Sequence, residues 1–350
     1  MPLSIKDTWK VATTFIGTIV GAGFASGQEI LKFFGHFGPP GVLGILLSCI
    51  IFCAGGTLIM ILGHQLRACS FGDVVIYVCG SRLGRVVDLV LGVFLFGSLS
   101  VMLAGSGAVL CQQWGLPYWL GTLFTLLISL AIVLSGIRGI ISANSIVVPF
   151  MITICLLAIV PAISGDRLLA ISSDFRPVSE GASSLWYVSA LLYAAYNLTL
   201  GVSVLAPLGN EIKDRRSLIY GGVFGGLGLG GLAMLINLAI LSHYPDSAGY
   251  EIPSLFVAGS MTRIIQTVFS FVLWAEIFTT IIGTIYGLAA RITADTRFGY
   301  LSVTVVLLLG ALVLSQFGFS GLVGILYPLF GYVSLVFLIC LFTFPLYKKK

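Results

Sequence analysis

Apolar stretches of about twenty residues, the length that crosses a bilayer as a helix, follow one another along this chain with short polar links between them. The spacing predicts about ten spans. They lie near Trp9–Phe37, Gly41–Gln65, Val86–Gln113, Tyr118–Gly136, Ile141–Ser164, Leu185–Leu208, Leu218–Ser242, Met261–Ala289, Tyr300–Phe317 and Leu322–Leu346. No link is long enough for a soluble domain, so residues 1–350 read as one all-α transmembrane domain.

Two of the stretches are interrupted. In the first, apolar residues run from Val11 to Val20, give way to GAGFASGQE (Gly21–Glu29), and partly resume from Ile30 to Phe37. Gly21, Gly23 and Gly27 each cost a helix roughly 1 kcal/mol against alanine. Backbone groups freed in lipid must find partners, so such a break persists where it lines a cavity or holds a ligand. The sixth stretch carries YNLTLG (Tyr196–Gly201), with Asn197, Thr199 and Gly201 where a simple span would be apolar. Paired interruptions in corresponding positions of two halves point to the binding site of a secondary transporter. Five spans per half is an odd number, so the halves are inverted relative to each other, the first over about 9–164 and the second over about 185–346. The competing explanation is that Asn197 and Thr199 only hydrogen-bond neighbouring helices.

Composition supports the membrane class. Hydrophobic residues make up 58% of the chain and charged residues 9%, against about 25% charged in a soluble domain; the mean hydropathy is +1.09. Cytoplasmic loops hold excess Lys and Arg. With both termini inside, only Lys32, Arg167, Arg176 and Arg263 of the 18 basic residues fall on the outer side. The expected location is therefore the plasma (inner) membrane with cytoplasmic termini. The net charge of +5 reflects topology and calls for no nucleic-acid partner. Seven cysteines without an extracellular pairing pattern argue against a disulfide framework. Cys49 and Cys53 share a helix face, but no His or Asp stands near them to complete a metal site. Lys6 and Lys10 ahead of an apolar run imitate a signal peptide; the return to a helical pattern after Glu29 favours an uncleaved first span.

GAGFASGQEI, with its flanking ATTFIGTIV, resembles the YkvI family of bacterial membrane proteins, which is similar to the wider amino acid–polyamine–organocation transporters of the LeuT fold. The resemblance covers nearly the whole chain and is strongest in the first span. It implies ten spans in a five-plus-five inverted repeat with broken first and sixth helices, and substrate held between spans one, three, six and eight. In sodium-coupled members, adjacent hydroxyls in the eighth span meet carbonyls of the first. The corresponding positions here are Thr279 and Thr280 with Gly17 and Val20, plus the carbonyl of Glu276. Such hydroxyls also commonly bond their own i−4 carbonyls. No second sodium site is expected, because Phe24 stands where its acidic or amide ligand would be.

The same alignment puts the backbone of Gly21, Ala22 and Gly23 at the start of a half-helix, whose free N–H groups suit a carboxylate. Carbonyls near Tyr196 and Asn197 would suit an amine, so the pair describes an amino-acid zwitterion or related amine. Ser98, Met102 and Ser106 of the third span form a candidate wall, though Met and Ser on one face are commonly packing. Glu276 is the one carboxylate deep inside an apolar span, where an acid costs about 2.5–3.5 kcal/mol, and Thr279 and Thr280 share its face. It could balance a bound cation, carry a proton or hold a helix junction. Glu29, just beyond the first break, reads as an outer gate or a solvated vestibule residue.

GLGLGG (Gly226–Gly231) imitates a dinucleotide loop, but it lies inside the seventh span, where small residues let helices approach. Glu211–Arg216 reads as a cytoplasmic loop, and His36, His64 and His243 are too scattered for a metal cluster. An intramembrane enzyme would need a catalytic constellation within the spans, and none is present. A channel would show a charge ring or a filter loop. A sodium-coupled symporter without any organic cofactor is the leading expectation. A proton-coupled carrier and a non-transporting receptor, similar to germination-receptor subunits, are the alternatives. The fifth span, ISANSIVVPFMITICLLAIVPAIS, contains no lysine to replace the ion, which favours sodium.

Overall fold

The computed structural model describes residues 4–68, 71–135, 150, 152–163, 185–295 and 299–347. Their order is α1 (Ile5–Ile19), α2 (Ala22–Ala25), α3 (Gln28–Phe33), a 3-10 turn at Gly35–Phe37, α4 (Pro39–Leu66), α5 (Phe71–Trp114) and α6 (Tyr118–Ser135). After the helical residues 152–159 come α7 (Trp186–Glu211), α8 (Arg215–Leu241), a 3-10 turn at Asp246–Gly249, α9 (Pro253–Met261), α10 (Arg263–Asp295), α11 (Tyr300–Ser315) and α12 (Phe319–Tyr347). Within α4, α5, α7, α8, α10 and α12 lie segments long and apolar enough to cross a membrane; α6 and α11 contain shorter apolar stretches. Residues 141–149, 151 and 164 of the expected fifth span, together with Arg138, Arg167, Arg176, Arg297 and the C-terminal lysines, lie outside the described residues.

Local chemistry sets the helix ends. Ser4 caps α1 by accepting from the Asp7 N–H, and Asp214 caps α8 by accepting from the Arg216 N–H. The Asp214 carboxyl is held below its ordinary pKa, first by the Ser217 hydroxyl that donates to it. The loop Glu211–Arg216 thus closes one helix and opens the next, as an ordinary connection does. The third stretch carries its expected crossing at Gly92–Trp114 and extends further toward the N-terminus. α5 begins at Phe71, well before Val86, and turns a corner at Gly80, whose φ of 79° and ψ of 164° only glycine adopts readily.

The helices pack in two groups. α1, α4, α7 and α8 form one; α5, α6, α10 and α11 form the other; α12 touches α7 on one side and α5 on the other. Small residues make the first group close. A β-carbon on Gly225 of α8 would meet the Phe15 ring of α1 at 2.6 Å, and one on Gly226 would meet the Cys53 backbone of α4 at 2.6 Å. The glycine run in α8 is therefore a packing device. Outside, Leu43, Ile50, Val93, Phe124, Val313 and Ile325 are exposed, an apolar surface suited to lipid.

The sixth stretch corrects the expectation of a second break. α7 is one continuous helix from Trp186 to Glu211. Its polar residues are satisfied by the helix itself: Asn197 Nδ2 donates to the Tyr193 carbonyl at 3.0 Å, and Thr199 Oγ1 to the Ala195 carbonyl at 2.8 Å. Gly201 faces Ile19, whose Cδ1 would lie 3.1 Å from a β-carbon there. In this structure YNLTLG serves helix crossing and leaves the backbone ladder intact.

Candidate functional site

The first stretch is broken, at two joints. α1 stops because Val20 (φ −73°, ψ 92°) and Gly21 (φ −109°, ψ −174°) are extended. The Gly21 N–H turns to the Ile19 carbonyl at 2.9 Å, so the Gly17 carbonyl loses its helical i+4 donor. Ala22–Ala25 make a single turn, closed by Ser26 Oγ donating to the Gly23 carbonyl at 2.9 Å. Gly27 then reverses the chain at φ 79° and α3 begins. The N–H groups at the start of a helix have no intrahelical acceptor, so those of Ala22 and Gly23 are available to a ligand. α2 packs against α5 and α10, which places the break between the two helix groups.

The site residues fall in three clusters. The first centres on Glu29, which is buried at 5% exposure and accepts a hydrogen bond from the Tyr196 hydroxyl. Its carboxylate lies over the bare Cα of Gly23: a β-carbon there would overlap Oε1 and lie 2.7 Å from Cδ. A solvated vestibule position is thereby corrected, since Glu29 is folded back into the break. Around Tyr196 stand Phe33, Phe94, Tyr193 and Tyr327, with ring centroids 5.6, 6.2, 5.6 and 5.2 Å away. The Tyr193 hydroxyl is buried with no hydrogen-bond partner among the described residues. Only Tyr196 of this aromatic wall was expected. The YAAY spacing of Tyr193 and Tyr196 puts both on one helix face and was the available signal. The expected amine-binding carbonyls near Asn197 lie in the intact helical run of α7 instead.

The second cluster is on α10. Glu276 is buried at 3% exposure, and its Oε2 has no hydrogen-bond partner among the described residues. Thr279 and Thr280 both donate to the Glu276 carbonyl, at 3.0 and 2.9 Å. That carbonyl already accepts two hydroxyls, while the threonine oxygens keep lone pairs free for a cation. Val20 is buried beside the break, and Gly17 sits one turn before it on α1. The third cluster is the α5 wall: Ser98, Met102 and Ser106 are all buried, with Ser106 Oγ donating to its own helix at Leu103. α5 packs on α2, α7 and α10, so this wall belongs to the layer around the break.

Outside Glu29, a cavity of about 330 Å³ is lined by Lys32, Phe33, His36, Ser189, Pro328 and Tyr332, among others. The Phe33 ring separates it from the buried tyrosines, packing on Tyr193 at 5.3 Å. Among the described residues, no group of three His, Cys, Asp or Glu side chains could hold a metal ion. Such a set is a different thing from the carbonyl and hydroxyl ligands that sodium takes.

No protein-family profile matches the chain. It is 32% identical over 332 residues to the membrane protein YkvI of Bacillus subtilis (strain 168), covering 94% of this chain and 93% of that one. The chain belongs to the YkvI family of bacterial membrane proteins. A second family relative in the same organism, YyaD, is 27% identical over 337 residues, covering 95% of this chain and 96% of that one. Among solved structures the chain is similar to MhsT in complex with L-phenylalanine, with a TM-score of 0.64, 16% identity, and 95% of this chain and 88% of that one covered. It is also similar to a Na+-coupled sialic acid symporter (TM-score 0.61, 12% identity, 88% and 72% covered). A third is the Eremococcus coleocola manganese transporter (0.60, 14%, 89% and 72%). These likenesses show the LeuT fold for this member of the YkvI family.

Proposed function

We propose that this YkvI-family protein is a secondary active transporter, not an enzyme, moving a small amino acid or related amine by alternating access with sodium as the coupling ion. The observation that carries the proposal is the double joint at Val20–Gly21 and Ser26–Gly27. It exposes backbone donors and acceptors between two helix groups that pack within themselves. Such groups can rock against each other around a site built from the broken helix. On this reading residues 9–164 and 185–346 are the two inverted repeats of one domain, in the plasma membrane with both termini cytoplasmic. The substrate meets Gly21, Ala22, Gly23 and Tyr196 against the α5 wall. Sodium sits among the Gly17 and Val20 carbonyls and the Thr279 and Thr280 hydroxyls, with Glu276 balancing its charge.

The test is uptake into proteoliposomes of labelled amino acids and amines under an imposed sodium or proton gradient. Sodium should tighten substrate binding and substrate should tighten sodium binding by the same factor, because two ligands favouring one state are reciprocally linked. Thr279→Ala and Thr280→Val should weaken sodium dependence while moving the melting temperature little. Uptake driven by a pH gradient and indifferent to sodium would establish the proton-coupled alternative. Binding without uptake under any gradient would establish a receptor.

A further inference from the structure

Glu29 is a buried carboxylate that the proposed sodium site does not use. It sits beneath Phe33 with one hydrogen bond, from Tyr196, and with no cationic partner among the described residues. Lys32 is on the same short helix, but it is exposed, lines the outer cavity and reaches toward Gly324 of α12. Of the elements packed on α3, α7 brings Tyr193 and Tyr196 and α12 brings Tyr327, while His36 of the adjoining 3-10 turn lines the outer cavity with Lys32. Their rings, with Phe33 and Phe94, surround the Tyr196–Glu29 bond. Aromatic faces attract a cation within about 6 Å of the ring centroid, more strongly when water is excluded. An ionised carboxylate buried without a positive partner costs free energy that a bound ammonium offsets.

The position of this carboxylate also decides against another ligand group. The Ala22 and Gly23 N–H groups are where a substrate carboxylate would dock, yet the Glu29 oxygen already lies against the Cα of Gly23. Two carboxylates on one turn repel. Specificity achieved by repelling the wrong charge is as effective as attraction of the right one.

We propose that Glu29 is the anionic pole of the substrate site, and that the site takes an amine carried as a cation in preference to a zwitterion or a carboxylate. The inference rests on the reading of the first-helix break as the substrate site and narrows its substrate class. The Tyr193 hydroxyl is buried with no hydrogen-bond partner among the described residues, and its ring lies 5.6 Å from that of Tyr196; on this proposal it gives the ammonium an acceptor beside the carboxylate.

The test uses the full chain in liposomes and probes matched in shape but not in charge. One set is phenethylamine, phenylalanine and 3-phenylpropionate; the other is 3-methylbutylamine, leucine and 4-methylpentanoate. In at least one set the amine should bind tenfold or more tighter than the amino acid, with no binding of the acid. Glu29→Gln should lower amine affinity at least tenfold without lowering amino-acid affinity. A preference below tenfold in both sets, failure of both amines to bind, or a folded Glu29→Gln protein with unchanged amine affinity would each overturn the proposal. If Glu29→Gln does not fold, the ranking in the unmodified protein decides alone. Amine binding in the expected order without movement across the membrane would remove transport and leave this inference standing. Uptake of the amino acid with the order reversed would do the opposite.

Discussion

Gly21 and Gly23, separated by one residue in the break, respond differently to the same substitution. At Gly23 an added methyl overlaps the Glu29 carboxylate, 2.7 Å from Cδ and 3.1 Å from Cγ. Restoring ordinary contact moves the carboxylate by roughly 1.5 Å, further than a hydrogen bond tolerates, and the Tyr196 hydroxyl loses its acceptor. A hydrogen bond to a charged group contributes about 1.5–3 kcal/mol. Replacing glycine by alanine returns about 0.4–1 kcal/mol where the backbone fits. Gly23→Ala should therefore destabilise the protein by about 1–2 kcal/mol, the hydrogen bond outweighing the entropy. At Gly21 no atom lies within 4 Å of the new methyl, and φ −109° with ψ −174° is open to alanine. Gly21→Ala should then be neutral or stabilising by up to about 1 kcal/mol. The assay is thermal unfolding in detergent, with binding of phenethylamine measured on the same samples. Gly23→Ala should melt lower and bind the amine more weakly, roughly tenfold for each 1.4 kcal/mol lost from the site. Equal melting temperatures and equal affinities for the two variants would refute the placement of Glu29 over Gly23.

Glu276→Gln keeps the shape of a buried side chain and removes its charge. The expected result is weaker sodium binding in a folded, still sodium-dependent transporter, and an unaltered sodium response would end its assignment as a balancing charge. Where α4 crosses α7, a β-carbon on Gly63 would overlap the Ala206 carbonyl and one on Gly209 would overlap the Met60 carbonyl. Either glycine changed to alanine should destabilise by about 1–3 kcal/mol, read as a lower melting temperature with substrate preference unchanged.

The helical architecture was legible because each span has to be apolar over its whole length, and α4 or α12 announces itself without its neighbours. The first break was legible for the complementary reason: Gly21, Gly23 and Gly27 oppose a helix whatever surrounds them. The sixth stretch misled because polar composition does not reveal where a side chain finds its acceptor, and Asn197 and Thr199 find theirs one turn back. The burial of Glu29 was hidden for a longer-range reason. Its partner Tyr196 is 167 residues away and the surrounding ring of Tyr327 is further still, so local sequence shows only a carboxylate near a lysine. The early start of α5 depended on Gly80 turning a corner that polar residues alone could as well have made into a loop.

The joint after the single turn is tied to the second half of the chain by one backbone bond, from the Ser254 N–H to the Ser26 carbonyl at 2.9 Å. Ser254 belongs to α9, which also packs against α3. Half-helix and α9 are thus fastened at the hinge point, and a swing of one drags the other. Thr262 ends α9, is exposed, and opens α10 by accepting from the Ile265 N–H, so a dye attached there would report the angle between α9 and α10 without entering the ligand site. A fluorescence change on adding an amine would make this short helix a built-in reporter of the break, readable in a membrane without labelling the break itself.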